Sequence, residues 1–158
     1  MASVRLLFIK FNVVIANSRK LKSTSGRTVS LSQFKNRQPV VLFFYPKAGT
    51  PGCTKQAQSF RDAYKEFKKL GVAVFGISGD DMGDQKGFAK NLGLPFPLLV
   101  DIGDELRQAL GVKADLFGAL PGRQTFVFDK KGTCVLSYNN QLLAESHVGE
   151  ALKAVKKL

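Results

Sequence analysis

Cys53 follows Thr50 by three residues and Pro46 by seven in the stretch FFYPKAGTPGCTKQA. Thr50 followed by Pro51 is a helix start: a hydroxyl at the N-cap, then a proline at the first helical position, where its missing N–H is no loss. Counting on puts Cys53 at the third position of the first turn, where unpaired N–H groups and the positive end of the helix dipole favour an anion. The thiolate, not the thiol, is the nucleophile, and such sites bring a cysteine pKa from about 8.5 to roughly 3.5–7.5. Lys47 and Lys55 add positive charge close by. Free cysteines are often merely buried, yet a polar, proline-bounded helix start is a poor place for an inert core thiol. The chemistry on offer is nucleophilic attack by sulfur.

Other chemically capable residues carry weaker signals. Cys134 lies in a strand pattern, Thr133 to Tyr138, and reads as a packed strand residue. With only two cysteines far apart in the chain, neither a secreted disulfide scaffold nor a zinc site is indicated. Asp80, Asp81 and Asp84 follow a strand and read as a solvated turn rather than a cation site. His147, the sole histidine, is assigned no catalytic role. There is no phosphate-binding glycine loop, and no metal or cofactor is expected.

The elements around Cys53 follow from hydrophobic pattern. Val40 to Tyr45 is an unbroken apolar run bounded by prolines, a central parallel strand buried on both faces. After the cysteine, Ala57, Phe60, Tyr64, Phe67 and Leu70 recur at three- and four-residue steps, one apolar stripe on a helix that Gly71 can end. Thr28 to Leu31 and Val72 to Ile77 read as strands, Gly83 to Leu92 as a helix before Gly93, Leu98 to Val100 as a short strand and Asp104 to Leu110 as a helix. Gln124 to Phe128 and Thr133 to Tyr138 form a hairpin around Asp129 to Gly132. Ser146 caps a last helix with Val148, Leu152 and Val155 inward. This order gives an α/β, thioredoxin-like fold, a central mixed β-sheet flanked by helices.

At 158 residues the chain suits one domain. No run reaches the ~18 apolar residues of a membrane span. Its net charge of +12 is concentrated at the front: residues 1 to 61 hold eleven Lys or Arg and no acid, whereas residues 62 to 158 hold thirteen and twelve. A uniformly basic nucleic-acid-binding domain is therefore not indicated, although a basic arm can meet anions or membrane surfaces. Residues 1–25 read as an atypical basic segment, similar to an organelle transit segment or its remnant, with a secretory signal and a strand or helix of the domain as rivals. Residues 26–158 read as the folded domain.

Pro46, Thr50 and Cys53, in P-x-x-x-T-x-x-C spacing, resemble the peroxidatic motif of peroxiredoxins, in the peroxiredoxin Q or bacterioferritin comigratory protein branch and closest to its plant form. The likeness continues through GVAVFGISGDD, LPFPLLVD, DLFGALPGRQTFVFDKKG and YNNQ. It implies a peroxidatic Cys53, Thr50 hydrogen-bonding thiolate and peroxide, Pro46 shielding the pocket, Arg123 as electrostatic partner and Gln56 orienting that arginine. Two departures stand out. Gln58 occupies the place where many members carry a second cysteine, so the chain resembles one-cysteine members reduced by an external thiol, with Cys134 the only internal candidate for resolving the sulfenic acid. The usual opening strand and acidic turn are not recognisable, so the first hairpin is missing or rebuilt from unrelated residues, which exposes the sheet edge.

The resemblance implies a monomeric, thioredoxin-dependent peroxidase for hydrogen peroxide and organic hydroperoxides, serving antioxidant defence and redox homeostasis. Thioredoxin, glutaredoxin or glutathione is the reductant, and the chloroplast, stromal or thylakoid-associated, is the location, with the cytoplasm as alternative. Thioredoxin-type disulfide exchange is disfavoured because Thr50 occupies the first cysteine place of C-x-x-C. Glutathione peroxidases rely on a tryptophan, and this chain has none. The alternative of a different class is a non-catalytic thioredoxin-fold module, chaperone-like or anion-binding through its basic N-terminus.

Overall fold

A computed structural model describes residues 20–115 and 117–158; most of the basic segment therefore lies outside the described residues. Among these, seven strands form one mixed sheet in the order β2-β1-β5-β4-β3-β6-β7. The strands are β1 (Leu21–Ser23), β2 (Thr28–Val29), β3 (Val40–Phe44), β4 (Ala73–Ser78), β5 (Leu98–Val100), β6 (Gln124–Phe128) and β7 (Cys134–Asn139). The helices are α1 (Pro51–Lys69), α2 (Met82–Leu92), α3 (Glu105–Ala109) and α4 (Ser146–Lys156).

The apolar run of β3 lies at the centre of this fold, every residue buried. Its side chains alternate between two cores, as strand geometry requires. Val41 and Phe43 face Ala57, Phe60 and Phe67 of α1, Phe88 of α2 and Ala151 and Val155 of α4, whereas Val40, Leu42 and Phe44 face Leu31, Leu106 and Leu110. Phe43 stacks on Phe60 at 4.3 Å between ring centroids, which seats the helix of Cys53 directly on the central strand.

Register explains why distant segments meet at one end of the sheet. β3 pairs in parallel with β4 and antiparallel with β6, Phe44 lying opposite both Ile77 and Gln124. Gln124 lies opposite Asn139 of β7, and Ser78 opposite Val100 of β5. The segments beginning at Tyr45, Gly79 and Asp101 and those ending at Arg123 or leaving Asn139 therefore converge beyond the carboxyl ends of the parallel strands, where open α/β sheets place their sites.

Several local expectations are corrected. Thr28 to Leu31 is a two-residue strand followed by a 3-10 turn, Leu31–Phe34. A first hairpin is present: β1 pairs with β2, and Lys22 and Ser23 pair with Val100 and Leu99. Leu70 is 45% exposed because the helix ends there and Gly71 turns the chain away with φ 72°. Asp104 to Leu110 is divided, a 3-10 turn preceding α3, because Gly103 and Asp104 both adopt positive φ. Ser146 opens α4 without capping it, its hydroxyl bonding the Leu143 carbonyl and the Tyr138 hydroxyl instead.

Candidate active site

α1 begins as its residues dictate, with Thr50 extended at the N-cap and Pro51 first in the helix. Cys53 sits in the first turn and is 1% exposed. Two donors point at its sulfur: the Lys47 backbone N–H at 3.5 Å and Arg123 Nη1 at 3.6 Å. These are long contacts to a large, polarisable atom, and both donors suit an anion better than a thiol.

The guanidinium of Arg123 is held from two sides. Nη1 donates to Gln56 Oε1 at 2.7 Å, and Nε donates to the Gln141 carbonyl at 3.1 Å. Arg123 is 4% exposed and Gln56 wholly buried, so both bonds form in a medium where charge is poorly screened. Gln56 Nε2 and Gln141 Oε1 have no partner among the described residues. A Cβ on Gly52 would lie 2.9 Å from Arg123 Nη2, so glycine lets the guanidinium close over the helix start.

The loop carrying Lys47 is clamped as well. Thr50 Oγ1 donates to the Lys47 carbonyl at 2.8 Å and accepts from no helix N–H, a correction to the capping expectation: turned toward that carbonyl, the hydroxyl braces the loop rather than the helix end. Asp80, read as part of a solvated turn, is half-buried and accepts the Ala48 N–H at 2.8 Å and the Ser78 hydroxyl at 2.6 Å. Asp81 caps α2 by accepting the Asp84 N–H. Pro46 is half-buried at the loop's start.

Pro46, Thr50, Cys53, Gln56 and Arg123 thus gather at one end of the sheet, but Cys134 does not join them. It belongs to the core on the opposite face, 4% exposed, with its thiol donating to the Leu136 carbonyl at 3.3 Å. Burial pushes the Cys134 thiol up to about 11.

Sequence reasoning missed how Asp80 and His147 hold segments next to the site, at Ala48 and Asn140. His147 is fully buried between Thr125 Oγ1 and the Asn140 carbonyl, each 2.8 Å away. A carbonyl only accepts, so Nε2 carries the proton and Nδ1 accepts from Thr125. Its position beside YNNQ was the one available signal, because Gln141 in that stretch holds Arg123.

Residues 15–137 match the AhpC/TSA family model. The chain is 57% identical over 138 residues to the chloroplastic peroxiredoxin Q of Triticum aestivum, covering 87% of this chain and 63% of that protein. The Arabidopsis thaliana counterpart is 53% identical over 152 residues, covering 96% and 70%. The chain thus spans less than two thirds of the wheat protein's length. Among solved structures, peroxidoxin BcpB of Mycobacterium tuberculosis superposes with a TM-score of 0.80 at 36% identity, over 89% of this chain and 93% of that one. Bacterioferritin comigratory protein of Xanthomonas campestris gives 0.81 at 25% identity, over 99% and 98%. With more than half of the residues shared across the cysteine turn and the sheet that carries it, this protein belongs to the AhpC/TSA family, in its peroxiredoxin Q and bacterioferritin comigratory protein branch.

Proposed function

We propose that the protein is a thiol peroxidase reducing hydrogen peroxide and organic hydroperoxides to water and alcohols. The observation that carries this reading is the convergence of the Lys47 N–H and the Arg123 guanidinium on the Cys53 sulfur. The thiolate bonds to the terminal oxygen of the hydroperoxide, the O–O bond breaks, and the departing alkoxide or hydroxide takes up a proton. Sulfur is oxidised to the sulfenic acid as the peroxide is reduced. Arg123 meets the negative charge as it passes from sulfur to the leaving oxygen. Thr50 accepts the peroxide O–H, Pro46 limits water, and Gln56 keeps Arg123 aimed. The Xanthomonas relative is described as having alkyl peroxide reduction activity, which supports the substrate class.

The return step uses an external donor, because Gln58 cannot condense with a sulfenic acid. Two thiol equivalents convert it to the thiol and water and leave as a disulfide. Thioredoxin, glutaredoxin or glutathione fills this role, and since Cys53 is 1% exposed, the first turn of α1 must part for the donor. The protein works as a monomer, and the names of its plant relatives support a chloroplast location. A non-catalytic module gives no account of a buried guanidinium held on a cysteine sulfur.

Peroxide consumption in dithiothreitol tests the reading. The native chain turns over peroxide and Cys53→Ser does not; equal slow rates for the two overturn it.

A further inference from the structure

Arg107 is a buried cation outside the set just described. It lies on α3, a short helix after β5, and is 5% exposed. Its backbone N–H and that of Leu106 are fixed by the Asp101 carboxylate at 3.0 and 2.9 Å, so the side chain leaves the helix from a set position. The guanidinium carbon sits 5.4 Å from the centre of the Phe44 ring, and Nε lies 3.4 Å from the Asp104 carboxylate. Nη2 donates to the Tyr45 carbonyl at 2.8 Å, and Nη1 donates to the Gly122 carbonyl.

Those two carbonyls belong to different segments, each just upstream of a group that points at Cys53. Tyr45 is two residues before Lys47, whose N–H is on the sulfur, and Gly122 is one residue before Arg123, whose guanidinium is on the sulfur. The second segment passes so close to Lys113 that a Cβ on Gly122 would fall 1.9 Å from the Lys113 carbonyl oxygen. The planar fork offers one fixed donor to each carbonyl, Nη1 to one and Nη2 to the other, whereas an ammonium is a single point of charge on a flexible stem.

We propose that Arg107 is a positioning residue of this site: by tying the Tyr45 carbonyl to the Gly122 carbonyl, it holds the Lys47 N–H and the Arg123 guanidinium in register on the Cys53 sulfur. The proposal rests on the peroxidase reading for its consequence in turnover, but not for its effect on the thiol. Burial lowers the Arg107 pKa, while Asp104, Asp101 and Cys53, in that order, oppose the shift.

Arg107→Lys keeps the charge and loses the fork; Arg107→Gln keeps a donor and loses the charge. In each, circular dichroism establishes the fold, peroxide reduction is timed, and the pH profile of Cys53 alkylation by iodoacetamide is recorded. The expected result is a folded protein whose second-order rate with hydrogen peroxide falls at least tenfold and whose alkylation midpoint moves to higher pH. A folded variant within twofold of the native rate and with an unmoved midpoint overturns the proposal. Loss of the fold in both variants overturns it too, since Arg107 then serves stability rather than the geometry of the site. If the native chain is no better than Cys53→Ser with peroxide, the peroxidase reading fails, while the alkylation profiles still decide the role of Arg107.

Discussion

Gln56 Oε1 and Arg123 Nη1 lie 2.7 Å apart although 67 residues separate them in the chain. The bond joins the first turns of α1 to the start of β6, and the same nitrogen faces the Cys53 sulfur. Gln56→Leu removes the acceptor at nearly constant volume and leaves Arg123 held by the Nε bond to the Gln141 carbonyl and the long contact with the sulfur. A misplacement of about 1 Å near reacting atoms can lower a rate on the order of 100-fold. The expected outcome is a 10- to 100-fold loss (~1.4–2.7 kcal/mol) in kcat/KM for peroxide with the fold retained. An unchanged rate in a folded Gln56→Leu chain removes Gln56 from the site.

Cys134 and Cys53 belong to cores on opposite faces of the sheet. A disulfide needs Cα atoms within ~7 Å on the same side of any intervening layer. Intact mass after one equivalent of peroxide should therefore show a gain of about 16 Da, one oxygen atom, and Cys134→Ser should match the native chain in rate. With its thiol pushed up to about 11, Cys134 should resist alkylation at pH 8 until denaturant is added. A peroxide-induced intramolecular disulfide detected by peptide mapping would reverse this conclusion.

His147 gives the fold an acid sensitivity. Burial pulls the ring down to about 4; the bond to the Asn140 carbonyl opposes this, and the Arg123 charge adds to it. Unfolded, the ring titrates near ~6.5, so between those values the unfolded chain holds the extra proton. The stabilisation is complete above about pH 6.5 and is lost as pH falls toward about 4, amounting to roughly 3 kcal/mol. Urea unfolding at pH 7 and pH 4.5 checks it: stability should drop more in the native chain than in His147→Gln. Equal drops would mean that carboxylates alone set the acid limb.

The strand, the turn and the place of Cys53 on it were legible because each is written locally. Val40 to Phe44 is apolar at every position, which only a strand covered on both faces tolerates, and Thr50-Pro51 announces the helix that lifts Cys53. Arg123 and Gln56 were reached through family resemblance alone, since no spacing tells that antiparallel β3 and β6 bring position 123 beside the cysteine turn. Arg107 was illegible: on a five-residue helix it reads as a surface arginine, and its partners are backbone carbonyls that carry no sequence signature. Asp80 was misread for the same reason, its ligand being the Ala48 N–H. β1 was hidden because three residues, one of them Lys22, show no alternation long enough to register as a strand.

Gly52 offers the sharpest separation of stability from chemistry. Its position is helical, so alanine fits the backbone and favours the helix by up to about 1 kcal/mol. The new methyl would stand 2.9 Å from Arg123 Nη2, closer than carbon and nitrogen settle without a bond between them. The far end of an arginine side chain yields more easily than backbone, so the guanidinium swings away from Gln56 and from the sulfur while the core stays as it is. Gly52→Ala should therefore unfold at the native temperature or slightly above, yet reduce peroxide at least tenfold more slowly. Crossing it with Gln56→Leu tests whether both act through Arg123: the double variant should lose little more than the worse single one. Fully additive losses would show that Gly52 serves the site by some route other than the guanidinium.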